Sequence, residues 1–275
     1  MATNDKRLKV SEFDFDDVKS NLKTFLEAQD EFTDYNFEGS GINVLLDVLA
    51  YNTHYLGFNM NMLANEMFLD SSSLRSSVVS HAKTLGYEPI SARAPKAVID
   101  VTLFDSVKAT GSIPAGTVFT TLVDDVSYQF VTVTEFTAAN IGTSIPFLNI
   151  PIYEGTFITT QYIVDSGDVD QRFILTDNRA DTTTLKVAVQ TSSSNTSSTT
   201  YTKTTDISQV NATSANFFLQ EVENGLFEVY FGDGVLGQSL SDGNIVILTY
   251  VVTNRKDANT ASVFTNAVAI DTVVD

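Results

Sequence analysis

The sequence predicts an α+β fold, an N-terminal α-helical bundle-forming segment followed by mainly antiparallel β modules. Three observations predict it. Up to Leu85 the apolar residues recur at helical spacing. Beyond Pro95 they alternate with polar residues at period two and are rich in β-branched types. No helix-period segment then separates the strands, so the sheets are expected to be antiparallel. The segments divide as 1–90, helical; 91–165, a first β module; and 166–275, a second β module.

The first helix begins near Ser11 and Asp14, an acceptable capping pair, and carries Phe15, Val18, Leu22, Phe25 and Leu26 at helical intervals. Asp14, Asp16 and Asp17 sit in its first turn, where negative charge complements the helix dipole. Glu38-Gly-Ser-Gly41 is a break, with Ser40 as the N-cap of a second helix. From Ile42 its apolar set runs Leu45, Leu46, Leu49, Leu56, Met60, Leu63 and Met67, seven or eight turns and about 40 Å long. Asp70 or Ser71 is expected to cap a third helix carrying Leu74, Val78, Ala82 and Leu85, which Gly86 ends and Pro89 prevents from continuing.

The second helix also carries Asn52, Asn59, Asn61 and Asn65 among Tyr51, Tyr55 and Phe58. Asn is a middling helix former, and aromatic residues off the main apolar stripe find no core in a lone domain. A solvated face with scattered aromatics is one reading. A helix contacted on more than one side, as in a multi-chain bundle, accounts for more of the pattern. The predicted partner interface therefore takes Phe15, Val18, Leu22 and Phe25 from the first helix. From the second it takes Leu45, Leu49, Leu56, Met60, Leu63 and Met67, together with the three aromatic residues.

Strands are expected at 97–104, 117–122, 128–134, 185–190, 215–222, 227–231 and 245–252, with Pro114-Ala-Gly116, Glu223-Asn-Gly225 and Ser241-Asp-Gly243 as turns. The Ser/Thr-rich run 191–208 lacks apolar mass and reads as an exposed hairpin arm or flexible loop. Phe231-Gly-Asp-Gly-Val-Leu-Gly237 reads as a structural turn at Gly232, Asp233 and Gly234. Neither the Lys-Ser/Thr nor the following helix of a phosphate loop is present. The sequence stops at 267–275 within what reads as a strand, so the chain is expected to be the front part of a longer one.

Composition narrows function. Against 16 Lys plus Arg stand 34 Asp plus Glu, a net charge of −18, and no basic cluster offers to release counterions from nucleic acid. No window has the roughly 18–20 apolar residues of a bilayer span. There is no cysteine, which removes thiolate catalysis and Cys-based zinc sites. His54 and His81, the two histidines, fall in helical pattern without a nucleophile elbow or triad around them. Asp165-Ser-Gly-Asp-Val-Asp170 resembles a calcium loop only superficially, lacking its full spacing and terminal Glu. No catalytic, metal or cofactor residue is therefore assigned.

The stretch from Phe227 through Gly232-Asp-Gly234 to Tyr250 resembles the baseplate J-like family of contractile phage tails. Glu31 to His54, Ala64 to Asp70 and Leu85 to Pro89 resemble, more narrowly, the larger J-like wedge subunit of T-even-like myophages and their cyanophage relatives. Asp170 to Leu175 and Asp181 to Val189 match the family's β region, so the resemblance covers most of the chain. Two features depart from it. Asn254 to Asn259 stand where a Gly-containing turn is usual, and those wedge subunits are much longer.

The resemblance implies a structural subunit of a contractile phage tail baseplate wedge, located in the virion's tail baseplate and assembled in the host cytoplasm. It implies partners: a second copy and other baseplate wedge proteins, joined in the inner ring through a shared helical bundle, with no nucleic acid and no membrane. No enzyme is expected, because no catalytic motif is found in the sequence. The alternative reading is a β-rich receptor- or glycan-binding tail protein, which the absence of Trp and the helical front end disfavour. A glycan-cleaving enzyme with paired carboxylates is a third, to which no motif points.

Overall fold

A computed structural model describes residues 14–29, 36–87, 89–104, 108–204 and 206–266. The chain forms two compact units, Met1–Glu88 and Pro89–Asp275. The first is helical and the second consists of β-sheets, so the α+β expectation holds.

In the helical unit, α1 (Phe15–Glu27) starts at Asp14, whose carboxylate accepts from the Asp16 N–H at 3.3 Å. Ser11, the other half of the expected pair, lies outside the described residues. Helix α2 (Gly41–Glu66) is capped as expected: the Ser40 hydroxyl accepts from the Asn43 N–H at 3.0 Å. At 26 residues it is about 39 Å long. α1 packs on α2, and Lys19 pairs with Asp47 across them.

Helix α3 (Arg75–Thr84) departs from expectation, because neither Asp70 nor Ser71 caps it. Leu74 occupies the N-cap position and has no side chain able to accept, while the Ser71 hydroxyl donates back to Asn65 O at 2.7 Å. The cap comes from the last residue of α2. The Glu66 carboxylate accepts from Ser73 N at 2.9 Å, Ser73 Oγ at 2.8 Å and Leu74 N at 3.3 Å. His81 Nε2 lies 2.9 Å from the Glu66 carbonyl, so that histidine serves the same corner. Gly86, at φ +75°, closes α3 as expected, with Gly86 N donating to Lys83 O and Tyr87 N to Ala82 O.

Hydrogen bonding from Ser77, then from the Ser73 N–H, holds the Glu66 carboxyl at about 2 against an ordinary 4.5. A depressed carboxyl stabilises the fold above its unfolded pKa, and that contribution fades as pH falls toward the folded value. The α2–α3 corner is therefore expected to stay closed through mild acid and open only as pH approaches 2. Amide exchange at Ser73 and Leu74, followed by NMR against pH, measures this; opening near pH 4 would contradict it.

The β unit is built from β1 (Lys96–Leu103), β2 (Thr110–Ile113), β3 (Val118–Val123), β4 (Val126–Thr132), β5 (Phe136–Ala139), β6 (Ile145–Glu154) and β7 (Thr156–Ile163). There follow β8 (Phe173–Ile174), β9 (Ala180–Gln190), β10 (Ser198–Lys203), β11 (Asn216–Glu221), β12 (Phe227–Phe231), β13 (Ile245–Val252) and β14 (Thr265–Asn266). One sheet has the order β1-β6-β4-β3-β14, a second β7-β13-β9-β10-β11-β12-β8, and β2 pairs with β5 alone. All described pairings are antiparallel except β10 with β11.

Period-two alternation explains the cores. In β11, Phe217 and Leu219 point inward between half-buried neighbours. They join Val187, Val229, Val246, Leu248 and Tyr250 inside the larger sheet. Phe119, Phe130, Phe147, Ile150 and Ile152 fill the smaller sheet, with Ile113 from β2. Each such side chain contributes roughly 1.5–3 kcal/mol on burial. The larger sheet curls until its edges meet: Tyr162 Oη on β7 donates to Ile174 O on β8 at 2.5 Å.

The two sheets divide at Gly155, between β6 and β7, and not at 165/166; residues 258–266 return to the first core and sheet. Of the two readings of the Ser/Thr-rich run, the exposed hairpin arm describes 191–203 and the flexible loop does not. Residues 191–197 turn, and β10 then lies between β9 and β11 in the sheet interior, with Tyr201 buried. One inward aromatic residue and backbone pairing hold this strand despite its polar composition.

At Gly155 the sheets are pinned together. The buried Glu154 carboxylate accepts from Thr253 Oγ1 at 2.6 Å, Asn254 N at 2.9 Å and Asn254 Nδ2 at 2.8 Å. Gly155 has φ +126°, and a Cβ there would sit 2.2 Å from Val252 O. The segment entering β1 is held to β9: Ala94 N donates to Asp181 Oδ2 at 2.8 Å, and Thr182 N donates to Ser91 Oγ at 3.0 Å.

Candidate partner-binding site on the second helix

Three faces divide the surface of α2. The first packs within the chain: Asn43, Leu46, Ala50 and Gly57 are buried, with Thr53 and Ala64 half-buried between and beyond them. These are mostly small residues, which let α1 approach closely. Their spacing of three and four residues makes a narrow stripe.

The second face carries Leu45, Leu49, Leu56, Met60, Leu63 and Met67, all exposed, with Leu63 at 67%. The third carries Val44, Val48, Tyr51, Tyr55, Phe58 and Met62, likewise exposed, with Phe58 at 61%. The Tyr51 and Tyr55 rings stack at 6.5 Å between centroids. At 3.6 residues per turn the leucine and aromatic faces are centred about 125° apart. Asn52 and Asn59, both exposed, separate them on one side, and Asp47, His54 and Asn65 on the other.

Of the interface residues assigned from sequence, all nine on α2 and its C-cap are exposed within the chain, while Leu46 of the apolar set read there is buried. On α1 the outcome differs. Phe15, Val18 and Leu22 are half-buried, while Phe25 is 64% exposed. Val44, Val48 and Met62 were not picked out from sequence. Their signal was the seven-residue spacing of Val44, Tyr51 and Phe58 and of Val48, Tyr55 and Met62, which places each set on one line of the helix.

The turn at Gly232, Asp233 and Gly234 is structural in its contacts. Asp233 Oδ1 accepts from Val235 N at 2.9 Å and Leu236 N at 3.0 Å; these two bonds, the Leu236 one foremost, lower its pKa. A Cβ at Gly232 would stand 2.3 Å from Leu236 O, so only glycine lets the strands of this loop close. Gly237 N donates to Asn211 O at 3.2 Å and Gln238 N to Ser214 O at 2.9 Å, fastening the loop to the neighbouring turn. In the acidic loop, Asp165 Oδ1 and Asp168 Oδ1 accept from Gly167 N and Asp170 N, closing their own turns. Among the described residues no group of three or more His, Asp or Glu is placed to hold a metal ion, and no helix is long and apolar enough to cross a membrane.

The second helix is thus long and carries two separate apolar faces that are exposed within the chain. Residues 14–87 match the model of the helical domain of gp6-like baseplate wedge proteins. The chain as a whole is 32% identical to the baseplate wedge protein gp6 of Enterobacteria phage T4. That alignment of 274 residues covers 92% of this chain and 40% of the relative, so the chain spans less than half of that protein's length. Together the two matches support a baseplate wedge family for this chain.

Proposed function

We propose that the chain is a structural subunit of a contractile phage tail baseplate wedge, located in the tail baseplate of the virion and assembled in the host cytoplasm. It joins the inner baseplate ring with a second copy and a partner wedge protein through a shared helical bundle, and it performs no catalysis. The observation that carries this reading is the pair of uncovered apolar faces on α2, within the segment that matches the gp6-like helical domain. Burying both requires two further helices from other chains. We read the β unit as J-like modules acting as stiff spacers, a role suited to two sheets locked at Glu154 and Gly155. The bundle then holds the wedge while the baseplate passes from its loaded to its contracted arrangement.

The test is the complex that copurifies with the tagged full chain from infected cells. A defined complex containing a second copy and another baseplate protein is the expected result. A chain recovered alone, or bound to host glycan, would overturn the reading in favour of the receptor-binding alternative.

A further inference from the structure

The strands with an open edge differ in how that edge is protected. β8 and β14 have two residues each, and β2 and β5 have four. β1 has eight, but it carries Lys96 and Asp100 and breaks register between Ile99 and Val101. Short length, charge and a bulge are the usual defences against pairing with another chain. β7 has none of them. It keeps one register with β13 over all eight of its residues, and between Gly155 and Val164 there is no charged residue and no proline.

The backbone groups that face outward can be named. Val164 N donates to Asn244 O, so the even-numbered residues of β7 turn their N–H and C=O toward β13. Phe157, Thr159, Gln161 and Ile163 turn theirs the other way, toward β8. Among the described residues no backbone ladder crosses that seam. Side chains close it at the Ile163 end, where Gln171 Nε2 donates to Ile163 O at 2.7 Å and Tyr162 Oη donates to Ile174 O. Thr159 and Gln161 are exposed, and Ile163 is 67% exposed.

We infer that the outer edge of β7 takes an extended segment of another protein as an added strand, bonded to the N–H and C=O groups of Phe157, Thr159 and Gln161. The segment is uncharged opposite these residues and carries Lys or Arg at the end that lies beside Ile163. This partner concerns the β unit alone and does not depend on the wedge reading of the helices.

Charge determines the basic end. The connections that meet there, residues 164–171, 191–197 and 240–244, hold Asp165, Asp168, Asp170 and Asp242, all exposed, and no Lys or Arg. Hydrogen bonds join these connections: Ser166 N donates to Asp242 Oδ1 at 2.9 Å, and Asn244 Nδ2 to Thr191 O at 2.8 Å. Arg172, next along the chain, is engaged by Glu228 at 3.0 and 2.9 Å. A second copy brings a net charge of −18 to this edge, whereas a basic segment neutralises the carboxylates. Antiparallel pairing, the more stable kind, puts the basic residues at the segment's N-terminal end.

The probe is a capped peptide of two lysines followed by alternating valine and threonine, added to the purified full chain. The readout is residue-resolved amide exchange. In the free chain Thr159 and Gln161 are expected to exchange at least about tenfold faster than Ile158, Thr160 and Tyr162, which bond to β13. The peptide is expected to slow Thr159 and Gln161 by about tenfold or more and to leave the even-numbered amides unchanged. Binding is expected to weaken severalfold when glutamates replace the lysines, or when Asp165→Asn, Asp168→Asn and Asp170→Asn are combined. Thr159→Pro removes an outward N–H and no bond to β13, so it is expected to retain the thermal transition and lose the peptide.

No protection of Thr159 and Gln161 at any peptide concentration would overturn the inference, as would binding that T159P does not affect. Protection of those amides without peptide, rising with chain concentration, would assign the edge to a second copy and overturn it equally. Should T159P fail to fold, the unaltered chain still decides, because equal protection of odd and even amides in β7 means that the edge is already covered.

Discussion

Asp in place of both Leu49 and Leu63 is expected to abolish wedge assembly while the chain itself stays folded. Both residues are exposed in the isolated chain, so the substitutions touch none of its own packing. In a bundle each leucine would contribute roughly 1.5–3 kcal/mol by burial, and an unpaired carboxylate in its place costs more than that gain. Two such sites are worth about 5 kcal/mol or more, and at 1.4 kcal/mol per tenfold that is a loss of roughly 10³–10⁴ in affinity. Light scattering of the purified complex measures the assembly, and the thermal transition of the β unit should not move. Assembly at wild-type concentrations with both changes would place the helical interface elsewhere.

The second large effect is expected inside the β unit. Glu154→Ala removes a buried carboxylate that accepts three hydrogen bonds and strands Thr253 Oγ1, Asn254 N and Asn254 Nδ2 without their acceptor. Thr253 is buried and its hydroxyl left unsatisfied costs about 1–3 kcal/mol, whereas the exposed Asn254 donors turn to water, so a total of about 2–3 kcal/mol is expected. For a unit of this size that corresponds to a fall in Tm of roughly 5–10 °C. Calorimetry of the full chain checks the figure. A change below about 1 kcal/mol would mean that water replaces the carboxylate and that the two sheets do not depend on this junction.

Sequence periodicity located the helices because each has a signal that acts locally: the Ser40 cap, the Gly86 terminus and the apolar spacing of α2. The cap of α3 was not legible, since it is supplied by Glu66, on the preceding helix seven residues before Ser73 and outside the usual N-cap position, and is brought there only by the corner it stabilises. β6 and β7 escaped notice for a related reason. Pro146 and Pro151 interrupt the alternation of β6, and β7 is a threonine-rich edge strand without a strong apolar side. β10 was hidden by composition, since Tyr201 alone marks its inward face. At the site, the exposed leucines and aromatics were read from spacing. Their separation into two faces needed the buried stripe of α2 to be known first, because that stripe defines which directions remain open.

Thr120 and Thr265 meet across the β3–β14 pair although they are 145 positions apart in sequence. The larger sheet is thus an insertion within the smaller one, and that sets an order on synthesis. A chain leaving the ribosome can pair β1 with β6 and β3 with β4 early, since these partners are near in sequence. The outer side of β3 must then wait until the whole inserted sheet has emerged. Throughout that interval it is an unpaired strand edge, open to association with any neighbouring nascent chain.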